Sequence, residues 1–254
     1  MNRITAFASR NFKEVVRDPL SYIFCLGFPL VMLVIMTLVN ESIPPEANMT
    51  IFRIDNLAGG IAVFGLTFVM LFTCLTIAKD RSGAFLTRLY SSPMSAADFI
   101  LGYSLPMILL CLIQMLIAFA ASFVISLITG GSLNIGGLLL SAAALIPSAA
   151  MFTALGILFG CLFGEKAAPG MCSIIISLAS FLGGVWFDPD STGGILLKIC
   201  RVLPFYHSVR AARAAAAFDV DTCLPSLLIT VAYAMVIVIA AVLAFSGKMR
   251  ADVK

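Results

Sequence analysis

Leu57-Ala58-Gly59-Gly60-Ile61-Ala62-Val63-Phe64-Gly65-Leu66-Thr67-Phe68-Val69-Met70-Leu71-Phe72-Thr73-Cys74-Leu75-Thr76-Ile77-Ala78-Lys79 is the stretch that decides the fold. No ionisable carboxylate, histidine or basic side chain interrupts it before Lys79. About 20 helical residues cross the ~30 Å hydrocarbon core of a bilayer. The run is continuous rather than alternating, which selects a helix over a barrel strand. Working outward, five more apolar runs appear, so spans are predicted at 21–40, 57–79, 98–128, 136–163, 168–187 and 223–246. The expected fold is all-α: a polytopic membrane protein with six transmembrane helices, forming one transmembrane domain over residues 1–254.

Composition agrees. The 254 residues are 61% hydrophobic and 11% charged, with a mean hydropathy of +1.08. Soluble domains carry about 25% charged residues. The net charge of +3 includes no run of like charge and no basic–aromatic interleaving, so nucleic acid is not an expected partner. The first span starts after a charged lead, and Val39-Asn40-Glu41-Ser42 is not a small-residue cleavage site. It is therefore read as retained.

Residues 1–18 place Ile4, Phe7, Ala8, Phe12, Val15 and Val16 on one face, opposite Arg3, Arg10, Lys13, Glu14 and Arg17. This pattern suits an N-terminal interfacial helix; a solvated arm is the plainer alternative. Lys and Arg then set the orientation. Eleven fall in the N-terminal arm, the 79–98 segment, the 164–169 turn and the tail; five fall on the other side. Both termini are expected to be cytoplasmic.

Four of those five outer charges lie in residues 188–222. Asp188-Pro189-Asp190-Ser191-Thr192-Gly193-Gly194 is a strong turn signal. Two apolar pieces follow, Ile195–Leu203 and Phe205–Phe218, divided by Pro204 and each too short to span. Re-entrant half-helices before the last span are predicted, with Lys198/Arg201 and Arg210/Arg213 three apart on basic faces turned to water or lipid phosphate. Pro204, His207, Arg210 and Arg213 are the residues singled out there. A plain amphipathic outer loop is the alternative.

Much chemistry is missing. His207 is the single histidine, so two-histidine metal sites are excluded, and neither a G-x-S-x-G elbow nor a phosphate-binding G-x-x-x-x-G-K-[ST] loop occurs. Of seven cysteines, only Cys200 and Cys223 fall in a polar connection, where a disulfide is conceivable. No credible catalytic cluster supports a polytopic membrane enzyme, and spans nearly free of ionisable residues argue against an ion-coupled secondary transporter or channel. Gln114, the clearest polar side chain mid-span, is expected to make an interhelical hydrogen bond in preference to a substrate contact. Gly156, Gly160 and Gly164 share a helix face for close packing, within one subunit or at a dimer seam, the former being the expectation.

The 79–98 segment is the most informative connection. Residues 82–90 are read as a short helix presenting Phe85, Leu86 and Leu89, and Ser95 with Asp98 forms a capping-box pattern that starts span three. In order, Gly83, Leu86, Leu89, Ser92, Pro93, Phe99, Ile100, Leu101 and Gly102 resemble the type-2 ABC transporter permease family. Ser82 stands where that family usually has a glutamate, with Asp80 nearby. Arg10, Arg17-Asp18-Pro19, Gly183-Gly184 to Phe187, Leu203-Pro204-Phe205 and Arg210 to Ala214 extend the resemblance over nearly the whole chain.

That resemblance implies a transport subunit, not an enzyme. It binds no cofactor itself, while a separate ABC ATPase subunit uses ATP and Mg. The ATPase-coupling residues implied are Arg81, Gly83, Phe85, Leu86, Arg88, Leu89 and Pro93. Further implied partners are a second permease copy or a sister permease, and membrane lipid. The implied location is the plasma (inner) membrane, and the implied activity is export of a hydrophobic or amphiphilic compound such as a drug, an antibiotic or a lipid-linked substrate.

Overall fold

The structure is a computed structural model that describes residues 3–44, 49–83, 85 and 94–252, with side chains up to residue 247. Among the described residues every regular element is a helix. An amphipathic helix, α1 (Arg3–Arg17), leads. Five helical stretches that follow are long and apolar enough to cross a bilayer. These are α2 (Pro19–Ser42), α3 (Ile54–Ser82), α4 (Ala96–Thr129), the pair α5 (Ile135–Ala144) and α6 (Ile146–Leu162), and α11 (Val220–Asp252). The apolar helix α7 (Ala168–Leu182) is shorter. Six apolar segments thus occupy the six predicted runs of an all-α polytopic membrane protein.

Local chemistry explains where they start, bend and stop. Asp18 caps α2, accepting from Leu20 N–H at 3.2 Å. Pro29 has no N–H to offer the Cys25 carbonyl, and the turn before it, Ile23–Gly27, widens to a π-helix. The α4 capping box forms as read: Ser95 N–H donates to Asp98 at 2.8 Å, and Asp98 N–H to Ser95 Oγ at 3.3 Å. Pro147 cannot bond the Ala143 carbonyl, so the fourth run breaks at Leu145 into α5 and α6. The fifth run ends early, at the Gly183-Gly184 turn, where Gly184 has a left-handed φ of 77°.

Helix α3 is the hub. It is buried over most of its length and packs against α4, α6 and α7, whereas α2 and α11 expose most of their apolar surface. The glycine face of α6 permits the closest approach. A Cβ at Gly156 would fall 2.5 Å from the Met70 carbonyl oxygen, and one at Gly160 would fall 2.9 Å from that of Cys74. Gly164 faces open space. The glycines therefore serve packing within the chain, through two positions rather than three.

Between α7 and α11 run α8 (Pro189–Thr192), α9 (Gly194–Val202) and α10 (Pro204–Ala216). Helix α10 is mostly buried against α3, α5 and α11. Its alanines make this possible: Ala212 lies where a Cβ on Gly59 would sit 3.2 Å away. Ser141 Oγ donates to the Ala212 carbonyl at 2.6 Å, and Ser148 and Ser208 hydroxyls lie 2.9 Å apart. All seven cysteines are free, so Cys200 and Cys223 do not crosslink this region.

Candidate functional site

At the basic end of the bundle, three elements meet on one carboxylate. Asp80, in the last turns of α3, is only 5% exposed. Its oxygens accept from both terminal nitrogens of Arg10 on α1, at 2.7 and 3.0 Å, and from Tyr103 Oη on α4 at 2.7 Å. A buried carboxylate is strongly disfavoured unless paired and hydrogen-bonded, and this two-pronged guanidinium contact plus a phenol supplies both. Arg10 also approaches Glu14 at 2.9 Å. Burial works against the Arg10 charge, but its bond to Asp80 and the charges of Asp80 and Glu14 outweigh it, and the net pKa shift is upward.

Helix α1 is fixed by i, i+4 spacing. Phe7, Asn11 and Val15 form its buried stripe. Phe7 meets Phe99 and Tyr103 edge-on, at 5.5 and 4.9 Å between ring centroids, and Asn11 donates to the Gly102 carbonyl at 3.0 Å. Phe12 and Val16 of the predicted apolar face remain exposed, while Arg10, assigned by pattern to the polar sector, turns inward to Asp80. A charged partner 70 residues away outcompetes the helical-wheel assignment.

The coupling residues read from sequence take distinct places. Phe85 lies under the Arg10 guanidinium, with Cζ 4.1 Å from the ring centroid. Arg81 bonds the carbonyls of Gly160 (2.8 Å), Cys161 and Phe163 (3.5 Å), neutralising the C-terminus of α6. Gly83 ends α3, its N–H donating to the Lys79 carbonyl at 2.9 Å. Leu86, Arg88, Leu89 and Pro93 lie outside the described residues. Tyr103 carries no signal in the sequence, and Asp80 stands out there only as a carboxylate near the family's glutamate position. The usable signal was a carboxylate set between Lys79 and Arg81 at the end of an otherwise uncharged run.

Residues 2–216 match the family model described as ABC-2 type transporter. The chain belongs to this family. No curated protein is significantly similar to it. As an ABC-2 membrane subunit, the protein is a transport component and not itself the catalyst. The cluster of Arg10, Asp80, Tyr103 and Phe85 joins the amphipathic helix α1 of this ABC-2 permease to two of its long apolar helices and to the 79–98 segment.

The opposite end holds the other singled-out residues. Pro204 starts α10. His207 Nε2 lies 2.8 Å from the Arg201 carbonyl, so Nε2 carries the proton and buried Nδ1 is an acceptor with no partner among the described residues. Burial lowers the His207 pKa, and the charges of Arg210 and Arg201 lower it further. The side chain of Arg213 does not run out to water. It folds inward, Nε donating to the Asn56 carbonyl at 2.8 Å and Nη2 to the Gly184 carbonyl at 2.9 Å. Burial pulls its pKa down to about 10, against the raising influence of Asp188 and Asp190. Arg210 meets Tyr206 alone among the described residues, through a 3.5 Å contact to Oη and with Cζ 5.9 Å from the ring centroid.

The expected hydrogen bond of Gln114 does not form. Its amide is 1% exposed, packs where a Cβ on Gly65 would fall 1.8 Å from Nε2, and has no hydrogen-bond partner among the described residues. The close approach of α3, which Gly65 permits, leaves the amide against a backbone whose own groups are already committed within the helix.

Proposed function

We propose that this ABC-2 permease subunit is one half of an ATP-driven exporter. In this reading a separate ATPase docks on the 79–98 segment, and its closure is carried to the membrane helices through Arg10. Both termini lie in the cytoplasm, and a second permease copy or a sister permease completes the pathway. The cargo is a hydrophobic or amphiphilic compound. ATP and Mg are used by the ATPase alone.

One observation carries the reading: Phe85 of the 79–98 segment and Asp80 of α3 share the same guanidinium, at 4.1 Å and 2.7 Å. A displacement of the segment would therefore pull on the guanidinium that ties α1 to α3. A bidentate ion pair resists shear better than apolar contact, because both hydrogen bonds stretch together. Population shift in the permease then follows from ATP bound elsewhere.

The test uses permease and ATPase reconstituted together in vesicles. Arg10→Leu combined with Asp80→Leu removes both charges of the pair together, so that neither is left buried alone, although Tyr103 and Glu14 each lose a partner. Transport per ATP hydrolysed should fall about tenfold or more, a loss equivalent to ~1.4 kcal/mol of coupling. An unchanged ratio in a folded double variant would overturn the coupling route.

A further inference from the structure

A cavity of about 360 Å³ opens where the start of α3, the end of α7, α8, α10 and the start of α11 converge. Its wall carries Arg210 and Arg213 on one element and Asp188, Asp190 and Asp219 on others, with Tyr206 between them. Asp190 and Asp219 stand exposed at its mouth, and opposite charges around a shared space attract one another. The two arginines nonetheless stay unpaired. Among the described residues, neither arginine has a nitrogen within 4.0 Å of a carboxylate oxygen.

Backbone commitments hold the charges apart. Asp188 caps α8, accepting from Asp190 N–H at 3.1 Å, and Asp219 caps the start of α11, accepting from Thr222 N–H at 3.1 Å. Two Arg213 nitrogens are tied to carbonyls, which satisfy donors without cancelling charge. Asp190 takes the Tyr206 hydroxyl at 2.8 Å and approaches Arg201 at 3.5 Å. Asp190 thus pairs with Arg201, while Arg210 and Arg213 on one side and Asp188 and Asp219 on the other have no ion-pair partner among the described residues.

Complementarity follows. A simple anion meets more carboxylates than guanidiniums, and a simple cation meets two guanidiniums. A group carrying both charges a few bonds apart satisfies both walls. The volume accepts a head group, not a whole lipid. Beside it, Phe218 sits between the lining residues Ala217 and Asp219 with a left-handed φ of 57° and is 55% exposed. Such a conformation is uncommon for a non-glycine residue and costs about 1–3 kcal/mol. The Phe218 ring reaches Gly136 at the start of α5 yet stays half-exposed near the cavity, in a stretch of chain that also exposes Val220 and Leu224. This is an apolar strip on which acyl chains can lie.

We propose that this cavity binds a zwitterionic phosphate–ammonium head group, with phosphate against Arg210 and Arg213 and ammonium against Asp188 and Asp219. The site stands independently of the coupling scheme, since neither the ATPase nor the basic-end cluster enters it. The full-length permease in detergent is titrated with dihexanoyl phosphatidylethanolamine, dihexanoyl phosphatidylglycerol, free phosphoethanolamine and inorganic phosphate. Saturable binding of the ethanolamine lipid is expected, about tenfold tighter than of the glycerol lipid or inorganic phosphate. Arg210→Gln should weaken it about tenfold, and Asp219→Asn, which keeps the cap, by several-fold. Both variants should melt like the parent. Tighter binding of the lipid than of phosphoethanolamine assigns the membrane as source; equal binding supports the same site with a soluble source. Equal affinity for the glycerol lipid, undiminished binding in both variants, or no saturable binding of any probe overturns the proposal.

Discussion

The two ends of the bundle treat charge in opposite ways. At the basic end, Arg10 and Asp80 are spent on each other, with Tyr103 completing the carboxylate's shell. At the opposite end, Arg213 is spent on backbone carbonyls, and the nearby carboxylates are spent on helix caps. The first arrangement cancels charge and ties three helices to one point. The second satisfies hydrogen bonds while leaving charge available. Burial alone therefore does not distinguish a strut from a binding surface; the identity of the partner does.

The contrast can be broken most strongly at Asp80. Arg10→Ala leaves a 95%-buried carboxylate uncompensated, for which a loss of about 3–5 kcal/mol is expected, measured as thermal stability in detergent. Adding Asp80→Leu should restore most of it; no recovery would mean that the pair is not the cause. Gly156→Ala comes next. Its Cβ must displace α6 from the Met70 carbonyl, costing about 1–3 kcal/mol, whereas Gly164→Ala meets nothing and should be silent. At the other end, Arg213→Gln removes donors to two carbonyls and should cost about 1–3 kcal/mol, while Arg210→Gln should cost less than the error of the measurement. Equal losses at the two arginines would erase the distinction drawn between them.

The smallest expected effect is a pH dependence at His207. Its folded-state pKa lies below the ordinary 6.5, so between those values the unfolded chain binds more protons. Stability is thus fully present above about 6.5 and declines as pH falls through that value towards the lower folded pKa. Melting curves from pH 7.5 to 5.5 should show this slope, and His207→Gln should flatten it.

Much of this was legible in the sequence because it is local. The Ser95/Asp98 box and the Pro204 division before α10 follow from hydrogen-bonding rules acting within a few residues. The break before Pro147 and the stop at Gly183-Gly184 obey the same rules but fall inside the expected spans 136–163 and 168–187, where apolar continuity masked them. Gly156 and Gly160 were readable as a packing face, but not Gly164 as idle, since that depends on where α3 ends its contact. Arg81, one of the coupling residues that the resemblance implies, also neutralises the end of α6, about 80 residues on, a contact that no local pattern announces. Gln114 was read as a hydrogen bonder and is packed against the backbone at Gly65.

By itself, then, the sequence determined the medium, the number of apolar segments and the family, because hydropathy is a property of each residue and motif order is a property of the chain. Only the tertiary structure decided what each charge faces. Residues 10, 80 and 103 share one site, while residues 188, 210, 213 and 219 share another, because helix packing brings distant turns to the same end of the bundle. An arginine's role follows from whether a carboxylate or a carbonyl arrives there, and no local pattern carries that information.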